Sequence, residues 1–257
     1  MNPEFEQQVA RNIRAIGNDP DFLALSRLWV RQCLKYDYTH NFTWLGRPVI
    51  QAPQDSCALQ QIIWEVKPDL IIETGIAHGG SLILSASMLA LLEYADAVAA
   101  GTTLDPQTPT RKVLGIDIDI RAHNRAAIDA HPMRSRIEMI EGSSIADDIV
   151  AQVRRRAADF QRILVCLDSN HTHAHVLAEL QAYAPLVSVG SYCVVMDTGV
   201  EDLPEDFCTN RPWGKGNNPK TAVREYLKSH PEFSADKMIE WKIAITAAED
   251  GYLKRLR

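Results

Sequence analysis

The sequence predicts a doubly wound α/β fold with a helical N-terminal arm and a C-terminal antiparallel hairpin. Three observations predict it. From Asp69 onward short β-rich runs alternate with helical segments, the first run passes through a glycine-rich turn into an apolar helix, and the runs end on acids at Glu73, Asp117, Asp168 and Asp197. Right-handed crossovers then place those acids on one edge of a parallel sheet covered on both faces.

The elements follow in order. Residues 4–16 and 21–35 carry apolar residues at helical spacing, broken by "GNDPD", where Asp19 or Asp21 can cap the second helix. An aromatic loop, "YDYTHNFTWLGRPVIQAPQD", leads to a helix that Pro68 stops. Strands are expected at 69–73, 112–117, 136–140, 162–168 and 191–197, with helices from about 80 and at 122–130, 146–157 and 173–182. After a loop of about 20 residues, a helix over 220–229 precedes "KIAITAAEDGYLKRLR", expected as two short strands joined by a Glu-Asp-Gly turn. The division is an arm over 1–47 and one domain over 48–257.

Composition narrows the partners. A net charge of −6 offers no basic surplus for phosphates, so nucleic acid is not an expected partner. No unbroken apolar run reaches the roughly 18 residues of a membrane span, because "SLILSASMLALL" stops at Glu93, and the N-terminus is acidic rather than signal-like. The five cysteines form no C-x-x-C and read as reduced structural thiols, so a cytoplasmic location is expected. The arm and aromatic loop offer surface for self-association, and a homo-oligomer is expected.

In "ETGIAHGGS", Glu73 ends the strand, Gly75 permits a tight bend, and Gly79 and Gly80 let backbone approach a ligand. Ala77 replaces the middle glycine of an E-x-G-x-G-x-G pattern, and the full dinucleotide fingerprint is absent. "VLGIDIDI" puts Asp117 at the tip of the second strand, where an acid can accept both hydroxyls of a ribose. Glu141, Gly142, Ser143 and Ser144 follow the third strand, where hydroxyl and backbone groups can meet an adenine edge; elsewhere "EGSS" is a turn and helix cap.

"RILVCLDSNHTHAHV" delivers Asp168, and "SYCVVMDT" delivers Asp197, to the same sheet edge. Two such tips can share a hard cation, Mg²⁺ or Mn²⁺, that binds and acidifies a substrate hydroxyl. His171 follows the first carboxylate closely and is a candidate base. An open alternative joins Asp168 to two of His171, His173 and His175 as the iron triad of an oxygenase.

On these residues the chain from about 48 to 256 resembles the cephalosporin hydroxylase family, a branch of class I S-adenosylmethionine-dependent methyltransferases. The segments that carry the resemblance are "ETGIAHGGSLILSASML", "GIDIDIRAHNRAAIDAHP", "IEGSS", "LDSNHTHAHVLAELQAYAPLVSVGSYCVVMDT", "RPWGKGNNPKTAVREYL" and "GYLKRL". The resemblance implies a Rossmann-like methyltransferase sheet and an S-adenosylmethionine site built by Glu73, Gly75, Ala77, Gly79, Ser81, Asp117, Ser143, Ser144 and Asp168. It also implies a catechol-type metal site on Asp168, Asp197 and Thr198, with His171 as base. Many members carry Glu-Asp where this chain has Met196-Asp197, which leaves coordination to Asp168, Asp197, water and the substrate. The expected reaction is methyl transfer to a hydroxyl of a sugar or hydroxylated natural product, under a lid formed by residues 199–220. The other readings are a catalytically impaired S-adenosylmethionine-binding protein and the metal-dependent hydroxylase.

Overall fold

In the computed structural model, which describes residues 2–257, the alternation resolves into one wound sheet. Two arm helices, α1 (Pro3–Gly17) and α2 (Pro20–Cys33), lead to a small hairpin of β1 (Phe42–Trp44) and β2 (Arg47–Val49), then α3 (Pro53–Val66). The repeating body is β3 (Leu70–Thr74), α4 (Gly80–Ala100), β4 (Lys112–Asp117), α5 (Ala122–Asp129), β5 (Ile137–Glu141), α6 (Asp147–Ala157), β6 (Ile163–Leu167), α7 (His173–Tyr183) and β7 (Tyr192–Val195). It ends with α8 (Pro219–Ser229), β8 (Phe233–Ala235), α9 (Lys237–Ile243) and β9 (Tyr252–Arg255). Asp19, not Asp21, caps α2, accepting from the Phe22 amide at 2.9 Å.

The sheet order is β5-β4-β3-β6-β7-β9-β8, parallel from β5 to β7 and antiparallel at β9 and β8. Every residue of β3 is buried. Ile71 packs with Leu59 of α3 and Leu82 of α4, whereas Leu70 and Ile72 pack with Val153 of α6 and Leu180 of α7, so the period-two alternation feeds two helix layers. The order reverses between β3 and β6, whose carboxyl ends therefore open the crevice in which such sheets bind ligands.

Two expectations change. The hairpin within 242–256 does not form: its first half is α9 and an irregular segment, and β9 pairs instead with β8 and β7. Two contacts replace it: Asp236 caps α9 through the Met238 amide, and buried Asp55, far upstream in α3, takes the Thr246 hydroxyl at 2.5 Å and the Ala247 amide at 2.9 Å. The apolar run beginning at Ser81 also does not end at Glu93. α4 continues to Ala100 and is long and apolar enough to cross a membrane by length and composition, with 56% of its apolar window buried inside the protein. Glu93 is itself buried, held at 2.6 Å by Arg136.

The arm is tied to the body through Glu249. Arg27 of α2 donates to its Oε1 at 2.6 Å, and Lys220 of α8 to its Oε2 at 3.1 Å. Burial alone would raise this carboxyl, but the hydrogen bonds and charges of Arg27 and Lys220 outweigh it and hold it at about 2. A depressed carboxyl stabilises the fold above its unfolded value of 4.5, and that stabilisation is lost as the pH falls toward 2. Glu249→Gln is therefore expected to lower stability at neutral pH by about 1–3 kcal/mol and to weaken the dependence of stability on pH below 4.5. Urea unfolding across that range measures both; an unchanged acid slope would remove Glu249 as its source.

Candidate active site

The glycine turn joins β3 to α4 at the crevice. Gly75 has φ +88°, and a Cβ there would strike the Asp168 backbone carbonyl. The turn and the first acid of the β6–α7 loop thus touch directly. Gly79 is left-handed, φ +82°, as the N-cap of α4. Gly80, expected to admit a ligand, admits the chain itself: the Pro48 carbonyl of β2 occupies the space over its Cα. Ala77 adopts φ +45°, with its carbonyl held by Asn124 Nδ2 at 2.8 Å.

Asp117 fastens this turn. Its Oδ2 accepts from the amides of Ile76 (2.8 Å) and Ala77 (3.2 Å), and its Oδ1 from Asp119 (3.1 Å). Both lone pairs of Oδ2 are thereby taken, and Oδ1 keeps its second for a ribose hydroxyl. Ser81 donates to Glu73, whose carboxyl burial pushes up to about 7 against that hydrogen bond. A cleft of about 50 Å³ runs between the segment after β2 and the turn, lined by Gln51, Gly75, Ala77, Ser81 and Asp168. Its acid, hydroxyl and exposed-amide edges fit the amino-acid end of S-adenosylmethionine.

The second cluster forms where β6 and β7 end. Ligand atoms of Asp168, His171 and Asp197 all lie within 4.8 Å of one another, with His171 Nε2 3.3 Å from Asp197 Oδ2. Burial, then the charges of Asp197, Glu73, Glu179 and Asp55, push the Asp168 carboxyl well above the usual range. Carboxylates that repel one another at this spacing fit a divalent cation, whose bonds of roughly 2.0–2.5 Å can draw them together. Asp197 sits in the left-handed region, φ 55°, with a carboxylate oxygen within 4.8 Å of one on Asp168. His171 also meets the Trp213 ring edge-on, centroids 4.8 Å apart, with the Arg211 guanidinium 5.4 Å from the centre of that ring.

Not every expected ligand arrives. Thr198 is fully buried, and its hydroxyl points to the Ala247 carbonyl at 3.4 Å, so it stands outside the cluster. Met196 belongs to the hydrophobic core and brings no oxygen to the cluster. The two-histidine triad is not assembled. His173 turns to Thr221 (2.8 Å) and Glu225 (3.2 Å) of α8, and His175 to Ser144 (3.0 Å) and Ser169 (3.2 Å).

Ser143 is half-buried at the end of β5, but the Ser144 hydroxyl is directed inward. Glu179 Oε1 accepts from both Ser144 and Ser169 at 2.6 Å, while Tyr183 donates to the Ser144 carbonyl. His175, Glu179 and Tyr183 recur every four residues along α7, so one face of that helix binds the loops after β5 and β6 together. Sequence reasoning missed this brace, along with Gln51, Asp55 and Arg47. The polar stripe at i, i+4, i+8 in an otherwise apolar helix was its available signal.

Comparison with known proteins identifies the family and the fold. The family model described as rhamnosyl O-methyltransferase/CmcI matches residues 36–256. The rhamnosyl O-methyltransferase of Mycobacterium leprae (strain TN) is 29% identical over 215 residues, 83% of this chain and 82% of that one. That of Mycobacterium tuberculosis (strain ATCC 25618 / H37Rv) is 29% identical over 216 residues, covering 83% and 78%. Among solved structures, CmcI with Mg and SAM superposes with a TM-score of 0.56 at 18% identity, over 85% of this chain and 78% of that chain. An O-methyltransferase from Bacillus cereus in complex with SAH gives 0.52 at 16% identity, over 80% and 81%. These two share the fold, and the family match spans the arm's end, the crevice and both acid tips: the chain belongs to the rhamnosyl O-methyltransferase/CmcI family.

Proposed function

We propose that this chain is an S-adenosylmethionine-dependent O-methyltransferase that uses Mg²⁺ or Mn²⁺ and acts on a hydroxyl of a sugar or sugar-bearing natural product. One observation carries the reading: the Asp168–His171–Asp197 cluster abuts the glycine turn, since the Asp168 carbonyl lies against Gly75. Donor and acceptor sites are thereby adjacent. The sugar acceptor is supported by the rhamnosyl relatives.

In this reading Glu73, Gly75, Ala77, Gly79 and Ser81 cradle the amino-acid end of the donor, Asp117 faces the ribose, and Ser143 bounds the adenine, while Ser144, its hydroxyl and carbonyl taken by Glu179 and Tyr183, holds that loop from behind. Asp168 and Asp197 hold the cation. When bound, the cation supplies Lewis acidity toward the acceptor hydroxyl, and the donor supplies an electrophilic methyl group on sulfur. The His171 imidazole receives the hydroxyl proton, with Asp197, 3.3 Å from Nε2, stabilising the imidazolium so formed and the Trp213 ring holding its plane. Trp213 and the 199–220 segment cover the acceptor and exclude water. The arm over 1–47 and the domain over 48–257 meet within β2, so Arg47 of the arm reaches the turn.

A cytoplasmic, self-associating enzyme completes the proposal. All five cysteines are free, and Leu91, Tyr94 and Val98 make an exposed apolar row along α4. The experiment that tests the function is methyl transfer from S-adenosylmethionine to a rhamnoside, run with metal-loaded and exhaustively chelated protein. Turnover is expected only with metal; equal rates in both would overturn the metal's role, and no transfer to any glycoside would overturn the acceptor class.

A further inference from the structure

Asp197 stands at a left-handed break between β7 and a short 3₁₀ segment, Thr198–Asp202. The loop 247–251 grips the chain on both sides of that break. Before it, the Val195 amide donates to the Gly251 carbonyl at 2.8 Å, and Gly251 lies so close that a Cβ there would strike the Val195 carbonyl. After it, the Gly199 amide and the Thr198 hydroxyl donate to the Ala247 carbonyl, at 3.1 and 3.4 Å. The backbone that carries Asp197 is therefore fixed by a loop far downstream in the chain.

One buried cation ties that loop to the segment it grips. Lys220, 2% exposed at the start of α8, donates to Asp202 at 2.5 Å and to Glu249 at 3.1 Å, with Asp250 at 3.6 Å. Asp202 ends the 3₁₀ segment, and Glu249 and Asp250 belong to the loop. Burial works against the ammonium, but the hydrogen bond to Asp202 and the charges of Glu249 and Asp202 outweigh it and hold the group above the ordinary lysine range. Glu249 and Asp250 have further partners in Arg27 and Lys237, whereas Asp202 has Lys220 alone among the described residues. Removing the ammonium thus turns an attraction between segment and loop into repulsion between Asp202 and Glu249.

We infer that Lys220 is a positioning residue for Asp197: by joining Asp202 to Glu249 it closes the loop 247–251 on the chain around that carboxylate and holds its oxygens where they can share a divalent cation with Asp168. This rests on the reading that Asp168 and Asp197 hold the cation. Lys220 acts through Asp202 and the loop, not on the reacting atoms.

The test measures Mn²⁺ affinity by electron paramagnetic resonance, and S-adenosylhomocysteine affinity by calorimetry without metal, on the wild type, Lys220→Met, Asp202→Ala and Arg27→Ala, with thermal melting of each. Lys220→Met and Asp202→Ala are expected to weaken Mn²⁺ by about 10–100-fold. S-adenosylhomocysteine should bind nearly as before, because the glycine turn and Asp117 belong to β3 and β4, which β6 separates from β7. Turnover in both variants is expected to return as Mn²⁺ is raised. Arg27→Ala frees the arm but leaves Lys220 on Asp202, and is expected to melt lower with wild-type Mn²⁺ affinity. If Lys220→Met does not fold, Asp202→Ala decides, since that side chain is 41% exposed. Wild-type Mn²⁺ affinity in the folded variants, or a loss shared by Arg27→Ala or by S-adenosylhomocysteine, overturns the assignment. A wild type that binds no Mn²⁺ overturns the metal reading, and this inference with it.

Discussion

His171→Ala is expected to lower kcat for methyl transfer by about two to four orders of magnitude, the range seen when a positioned general base is removed. Affinity for S-adenosylhomocysteine and for Mn²⁺ should change little. The geometry separates these effects. The imidazole lies 3.3 Å from Asp197 and 16% exposed, enclosed by Trp213 yet open to the crevice, whereas the oxygen donors of Asp168 and Asp197 remain in the variant. Electron paramagnetic resonance of Mn²⁺ reports the metal independently of turnover. If Mn²⁺ affinity falls in step with kcat, the imidazole is a ligand and the assignment as base fails. His173→Ala is the matched control, because that ring is committed to Thr221 and Glu225 on α8.

What the sequence revealed, and what it concealed, divides along a physical line. The ends of β3, β4 and β6 fall within about a residue of expectation because burial on both faces writes itself as a continuous apolar run. Asp117 and Asp168 were legible for the same reason, since a charged residue ends each such run, whereas Glu73 stays buried within β3. Side-chain direction beyond the tip was not legible. Thr198 turns away because the Ala247 carbonyl waits for it, and Ala247 is placed by Asp55 on a helix far upstream. The same buried acid dissolved the expected hairpin. Gln51 was hidden in a loop read for its aromatic and turn residues, and its relevance came only with the clamp of Arg47 on the glycine turn.

Gly75→Ala is expected to destabilise the fold by about 2–5 kcal/mol and to abolish donor binding along with turnover. Two terms add. An alanine held at φ +88° carries roughly 1–2 kcal/mol of backbone strain, and forcing a methyl group onto packed structure adds about 1–3 kcal/mol. The second term has no soft outlet, because the atom in the way is a backbone carbonyl, that of Asp168. Relief must therefore move either the turn or the β6–α7 loop, and that loop carries Asp168, the carboxylate proposed to hold the cation. Gly101→Ala isolates the first term: φ is +64°, nothing lies within 4 Å of the added Cβ, and only the backbone strain is expected. Urea unfolding of the two variants gives the difference, and S-adenosylhomocysteine titration shows whether the donor site was lost. Should Gly75→Ala match Gly101→Ala in stability and still bind the donor, the turn and the Asp168 loop are not in contact, and the adjacency on which the proposed methyl transfer depends is gone.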